Sequence, residues 1–128
     1  MTSVTKTKIL RVTLLIGAPF NFIAALMLAF PTTIGKLVEL PEPGSIFYSS
    51  LLSFIVGTFG VVYAWLALRQ QIDRPLLTLS AVGKIGVFIV TLYCWQAGAI
   101  TFQGFSVAIG DLIFGLVFAW WLLTEPKE

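Results

Sequence analysis

A chain of 128 residues that is 58% apolar and only 11% charged stands far from the roughly 25% charge of an ordinary soluble domain. Its mean hydropathy of +0.96 is more than so short a chain can hide in a water-soluble core, because small domains bury the smaller share of their surface. A net charge of +2, with no basic run beyond the N-terminus, gives nucleic acid no footing, and the absence of any histidine removes imidazole ligands for haem or zinc and the usual base near neutral pH.

The solvent these residues call for is lipid. Four apolar runs follow in chain order, Ile9–Phe30, Phe47–Leu68, Leu76–Gln96 and Phe105–Leu123. Each is close to the ~20 residues that carry an α-helix across about 30 Å of hydrocarbon. Backbone groups in lipid must be satisfied internally, so runs of this length read as helices, and membrane strands would be half as long and alternate in polarity. The first run is too long for the apolar region of a signal peptide and ends without a small-residue cleavage site, so it reads as an uncleaved first helix. The predicted fold is an all-α, four-transmembrane-helix bundle in a single domain.

Between the first two helices lies the longest connection, PTTIGKLVELPEPGS at 31–45, bracketed by helix-ending Pro31, Pro41 and Pro43. Ile34, Leu37, Val38 and Pro41 recur at i, i+3, i+4 and i+7, with Lys36 and Glu39 on the other side. That spacing predicts a short amphipathic helix in the membrane interface, with an irregular loop as the competing reading. RQQIDRP (69–75) is a short polar turn, and AGAITFQG (97–104) is short and uncharged. Trp65, Tyr93, Trp95, Trp120 and Trp121 sit near helix ends, as anchors at headgroup level do.

Lysine and arginine set the orientation. Lys6, Lys8, Arg11, Arg69, Arg74 and Lys127 all fall on one side of an even-numbered bundle, and Lys36 stands alone on the other. Both termini are therefore expected in the cytoplasm of a bacterial inner membrane. A dual-topology protein such as the small multidrug exporters shows no such bias.

Three polar residues lie deep in the helices: Asn21 in the first, Lys84 in the third and Asp111 in the fourth. A charge at the bilayer centre costs about 2.5–3.5 kcal/mol on the insertion scale, so each needs a partner. Small residues flank them at helical spacing. Gly17, Ala18, Ala24 and Ala25 surround Asn21; Gly104, Ala108, Gly115 and Ala119 surround Asp111; Ser80 and Ala81 precede Lys84. Small residues let helices approach closely, so these faces point inward. Helices three and four are antiparallel neighbours, and counting from their short connection puts Lys84 and Asp111 within one to two turns in depth. An ion pair between them follows. Such a pair is either purely structural or one that also titrates or binds something polar; the alternative to pairing is two residues solvated separately through water. Ser49, Ser53 and Gly57, with Gly60 and Ala64 beside them, form a packing ridge on helix two. Cys94, with no second cysteine or histidine to activate it, reads as a small apolar side chain.

Gly17, Pro31 at the end of helix one, the stretch leading to LPEP (40–43), Tyr48 and GTFGVVYAWLAL (57–68) give the N-terminal half its resemblance. It resembles the DoxX-like small bacterial membrane proteins of unknown function. The resemblance implies a four-helix bundle and no functional residue.

No phosphate loop, activated nucleophile, acidic metal cluster or cofactor motif appears. The leading functional expectation is a non-enzymatic integral membrane protein, an accessory, assembly or lipophile-binding component acting through its helix faces. Its partners are then the lipid bilayer and either another membrane protein or a hydrophobic small molecule. The alternative is a small transporter or permease using Lys84, Asp111 and Asn21, and the third is a membrane enzyme acting on a lipid or quinone.

Overall fold

The computed structural model describes residues 1–42 and 44–127. It holds four α-helices, α1 (Ser3–Ala29), α2 (Ile46–Leu68), α3 (Arg74–Gln96) and α4 (Phe102–Thr124), with a 3-10 turn over Gly35–Val38 between α1 and α2. Each helix is long and apolar enough to cross a membrane. The chain is an integral membrane protein of four spanning helices.

Three of the helices begin two to six residues before their apolar runs, for one physical reason. A run of apolar residues marks the hydrocarbon, whereas a helix begins where a side chain can cap its free N–H groups. Thr2 accepts from the Thr5 amide at 3.2 Å, Asp73 from Leu76 at 3.1 Å and Thr101 from Gly104 at 3.2 Å. The polar turns before the hydrocarbon are thus helical, and α1 gains Ser3 to Lys8 this way. It also runs through Pro19 without a break.

The helices pack as two hairpins. α1 lies along α2, α3 lies along α4, and the hairpins meet through α1 and α4, while α2 and α3 barely touch. The serine ridge of α2 forms the first seam. Ser49 donates to the Leu28 carbonyl at 2.9 Å and Ser53 to the Ala25 carbonyl at 2.7 Å. Hydroxyls that hydrogen-bond a neighbouring helix suit a lipid-exposed seam, where no water competes. At Gly60 a Cβ would stand 2.8 Å from the Phe22 ring and 3.2 Å from the Ala18 carbonyl oxygen, and at Gly115 2.8 Å from Ile85 Cγ1. Both seams depend on the absence of a side chain at these positions.

Burial is uneven along the bundle. Leu10, Leu14, Leu66, Leu77 and Phe118 are fully buried, all at the end that carries the termini. No residue of α2 before Gly60 and none of α3 after Lys84 is buried. The bundle is knit most tightly at the terminal end; at the other, α2 and α3 are largely exposed while Phe105 and Ala108 of α4 stay buried. Trp121, expected as a headgroup anchor, belongs to the knit end: it is buried and its indole N–H donates to Thr7 Oγ1 at 3.2 Å. The early start of α1 supplies that partner.

The connection after α1 departs from the expected face. Gly35 and Val38 turn inward and Leu37 is 73% exposed beside exposed Lys36. Three residues per turn line Gly35 up with Val38 and rotate Leu37 outward, whereas the expected face assumed a period of 3.6. A Cβ on Gly35 would stand 2.8 Å from the Met27 carbonyl oxygen, so the turn sits tight on the end of α1. Glu39 closes it in a left-handed conformation (φ 57°), and Gln103 of α4 donates to the Leu37 carbonyl at 3.2 Å.

Candidate functional site

The three deep polar residues come together at one level of the bundle. Lys84 Nζ donates to Asp111 Oδ1 at 2.7 Å and to Asn21 Oδ1 at 2.6 Å. The Asn21 amide nitrogen then donates to the Val56 carbonyl at 3.0 Å. This chain of bonds joins α3 to α4, to α1 and, through Asn21, to α2. The ammonium can only donate, so it fixes the amide orientation: the oxygen of Asn21 must face Lys84 and its nitrogen the carbonyl.

Aromatic rings complete the environment. Nζ lies 4.8 Å from the Phe20 ring centroid and 5.2 Å from those of Tyr63 and Phe114. The faces of these rings attract a cation, more strongly where water is excluded. Gly17 lies against two of them, a Cβ there standing 3.6 Å from Tyr63 and 3.7 Å from Phe114. Lys84 is consequently only 3% exposed. Asp111 is less enclosed, its side chain being 14% exposed, and among the described residues Lys84 is its only side-chain hydrogen-bond partner.

The sequence placed Lys84, Asp111 and Asn21 on inward faces, and the geometry brings all three into contact. It does not single out the rings. A signal for them existed: Phe20 adjoins Asn21, and Phe114 lies three residues from Asp111 on the same helix face. An aromatic among many aromatics in a lipid-facing chain carries no mark of that role.

A second polar layer lies at the terminal end. Arg11 reaches from α1 to the last turn of α2, donating to the carbonyls of Ala67 at 2.8 Å, Arg69, and Gln70 at 2.8 Å. Arg74 does the same for α4, donating to Leu122 at 2.7 Å with its guanidinium 5.1 Å from the Trp121 ring. A cation among the orphan carbonyls of a helix end is favourable both as a donor and against the helix dipole. Ser3 donates to Glu125, which puts both termini at one end of the bundle. The sequence showed these arginines as charges on one side of the membrane, and only the fold reveals their carbonyl partners.

Cys94 is free and half-buried. Among the described residues no group of three His, Cys, Asp or Glu side chains lies together. The site therefore defines a class: an integral membrane protein with four spanning helices pinned at mid-depth by an ion pair. In comparisons with known proteins the chain matches no family model, no curated protein and no solved structure.

Proposed function

We propose that this chain is a non-enzymatic accessory component of a bacterial inner membrane, of the DoxX-like kind, that binds a lipophile through its helix faces. Both termini lie in the cytoplasm, on the side that carries six of the seven basic residues outside the hydrocarbon. The observation that carries the reading is the enclosure of Lys84. Its ammonium is held between Asn21, Asp111 and three rings at 3% exposure, which suits a lock between helices better than a station on a polar route. A lipophile site needs only an apolar cleft with a few placed polar groups, and the groove at the terminal end offers such a surface.

The test is native mass spectrometry of the intact chain released from membranes in mild detergent. The expected result is a hydrophobic small molecule or lipid retained in a fixed ratio. A chain that sheds every lipid and carries no such molecule overturns the reading.

A small transporter is the second reading, and one observation favours it: the Asp111 side chain is 14% exposed, the sole part of the cluster open to a passing ligand. Flux across vesicle membranes that is abolished by Asp111→Asn would favour the transporter over the lock.

A further inference from the structure

A groove of about 1150 Å³ runs from the terminal end up the outer side of α3 and α4. Its deep part is apolar, with Val82, Ile85 and Ile89 along one wall. At Gly86 a Cβ would meet no atom within 4 Å, so the wall has a trough there. From Pro75 to Ile85 the helix rises about 15 Å, half of the ~30 Å hydrocarbon thickness and thus the depth of one leaflet. The mouth is polar and carries both signs of charge, with Ser3, Arg74 and Glu125 among its lining.

Glu125 is the unexplained group at that mouth. It is nine-tenths buried, its Oε2 accepts from Ser3, and its Oε1 is buried with no hydrogen-bond partner among the described residues. A buried acceptor left unmatched is costly, so a donor at this place has a large effect. Arg74 stands close by, fixed on the Leu122 carbonyl one turn before Glu125. Only one of its N–H groups is engaged there, and a guanidinium has five, in a fork that fits phosphate oxygens.

We propose that this groove holds one phospholipid with a primary-amine headgroup, a phosphatidylethanolamine. Its ammonium pairs with the Glu125 carboxylate, its phosphate meets Arg74, and an acyl chain lies in the trough at Gly86. The pairing of a buried carboxylate with a guanidinium matches a headgroup that carries an amine and a phosphate together. A glycerol headgroup lacks the cation, and a choline headgroup lacks the N–H donors. The inference rests on the lipophile-binding reading and names the lipophile and its seat.

The test offers the full chain in mild detergent an equimolar mixture of phosphatidylethanolamine, phosphatidylcholine and phosphatidylglycerol, read by native mass spectrometry. The expected result is one ethanolamine lipid per chain, retained about tenfold or more over the choline lipid, as a charge-assisted hydrogen bond supplies. Glu125→Gln keeps the shape, removes the charge and should bring that preference to within about twofold. Gly86→Leu puts a side chain into the trough, its Cβ meeting no atom within 4 Å; it should lower retention of all three lipids and leave their order unchanged. Equal retention of the three lipids by the unaltered chain overturns the proposal, as does a preference that survives Glu125→Gln. Should that variant fail to fold, the ethanolamine-to-choline ratio on the unaltered chain decides alone. A chain that holds some other lipid or lipophile sinks only this inference, whereas one that holds none sinks the lipophile-binding reading as well.

Discussion

An ammonium at the depth of Lys84 has three N–H bonds to direct and no bulk water to receive them. Two go to oxygens of Asp111 and Asn21, and the faces of Phe20, Tyr63 and Phe114 close the remaining directions. Removing one partner leaves the other charge stranded. Lys84→Leu strands a carboxylate and Asp111→Leu an ammonium, each at a cost of about 3–5 kcal/mol, whereas replacing both by apolar residues is often neutral or better. The cost of Asp111→Leu is the smaller, because Lys84 keeps Asn21 and the rings. Thermal unfolding in detergent should show both singles lowered, Lys84→Leu more, and the double variant recovering much of the loss. A double variant no more stable than the worse single would show that the pair does not act as a unit. Asn21 belongs to the same measurement. Asn21→Leu removes two hydrogen bonds and the tie from α3 to α2, so its effect should shrink in the Lys84→Leu background by roughly 1 kcal/mol. Full additivity would mean that Asn21 and Lys84 do not communicate.

At the scale of elements, the helix ends and the connection after α1 carry the specificity. Arg11 is the cap of a helix to which it does not belong: its guanidinium supplies donors to three carbonyls at the end of α2. Arg11→Ala should cost about 1.5–3 kcal/mol in detergent unfolding, the range for hydrogen bonds to a charged donor. Arg11→Lys should restore less than half, because a compact ammonium cannot span three carbonyls as a planar fork does. Full rescue by lysine would reduce the role of Arg11 to charge alone. The 3-10 turn makes a sharper distinction. With Gly35 and Val38 inward and Lys36 and Leu37 outward, cysteines at 36 and 37 should react with a membrane-impermeant reagent, and one at 38 should be protected. Protection of 37 together with 34 and 38 would restore the α-helical face.

Taken whole, the molecule is a bundle fastened at one end. The buried side chains of α2 and α3 gather near the termini, whereas α4 is buried along its length from Gly104 to Trp121, and no residue of α2 before Gly60 or of α3 after Lys84 is buried. The far halves of α2 and α3 are thus held by fewer buried contacts than their near halves, so they should move more. Spin labels at Leu51 and Val90, exposed positions of α2 and α3 in the far half, should give a broad distance distribution in a lipid bilayer. Labels at Leu68 and Leu79, exposed in the fastened half, should give a narrow one. Similar widths would mean that the far halves of α2 and α3 are held as firmly as the near ones.

How far the residues alone foretell this arrangement depends on the range over which each effect acts. The four helices are legible because lipid imposes a local rule: about twenty apolar residues in a row must satisfy their own backbone. The inward faces of Asn21, Lys84 and Asp111 are legible for a similar reason, since the small residues that permit close approach sit one turn away on the same helix. The helix starts at Ser3, Arg74 and Phe102 were less so, since capping residues such as Thr2 look like any polar residue outside the membrane. What no reading of spacing supplies is the partner across helices. That Asn21 bridges Lys84 to the Val56 carbonyl, that Arg11 caps α2, that Trp121 turns inward to Thr7 and that Glu125 is left with an oxygen unmatched among the described residues all depend on how four cylinders are rotated and offset against each other. The solvent, the number of helices and the residues that could not face lipid are written in the residues themselves, because they follow from transfer free energy residue by residue. Which groups meet is a matter of the packed bundle, because hydrogen bonds and ion pairs act over about 3 Å while the residues that make them lie 21 to 122 positions apart in the chain.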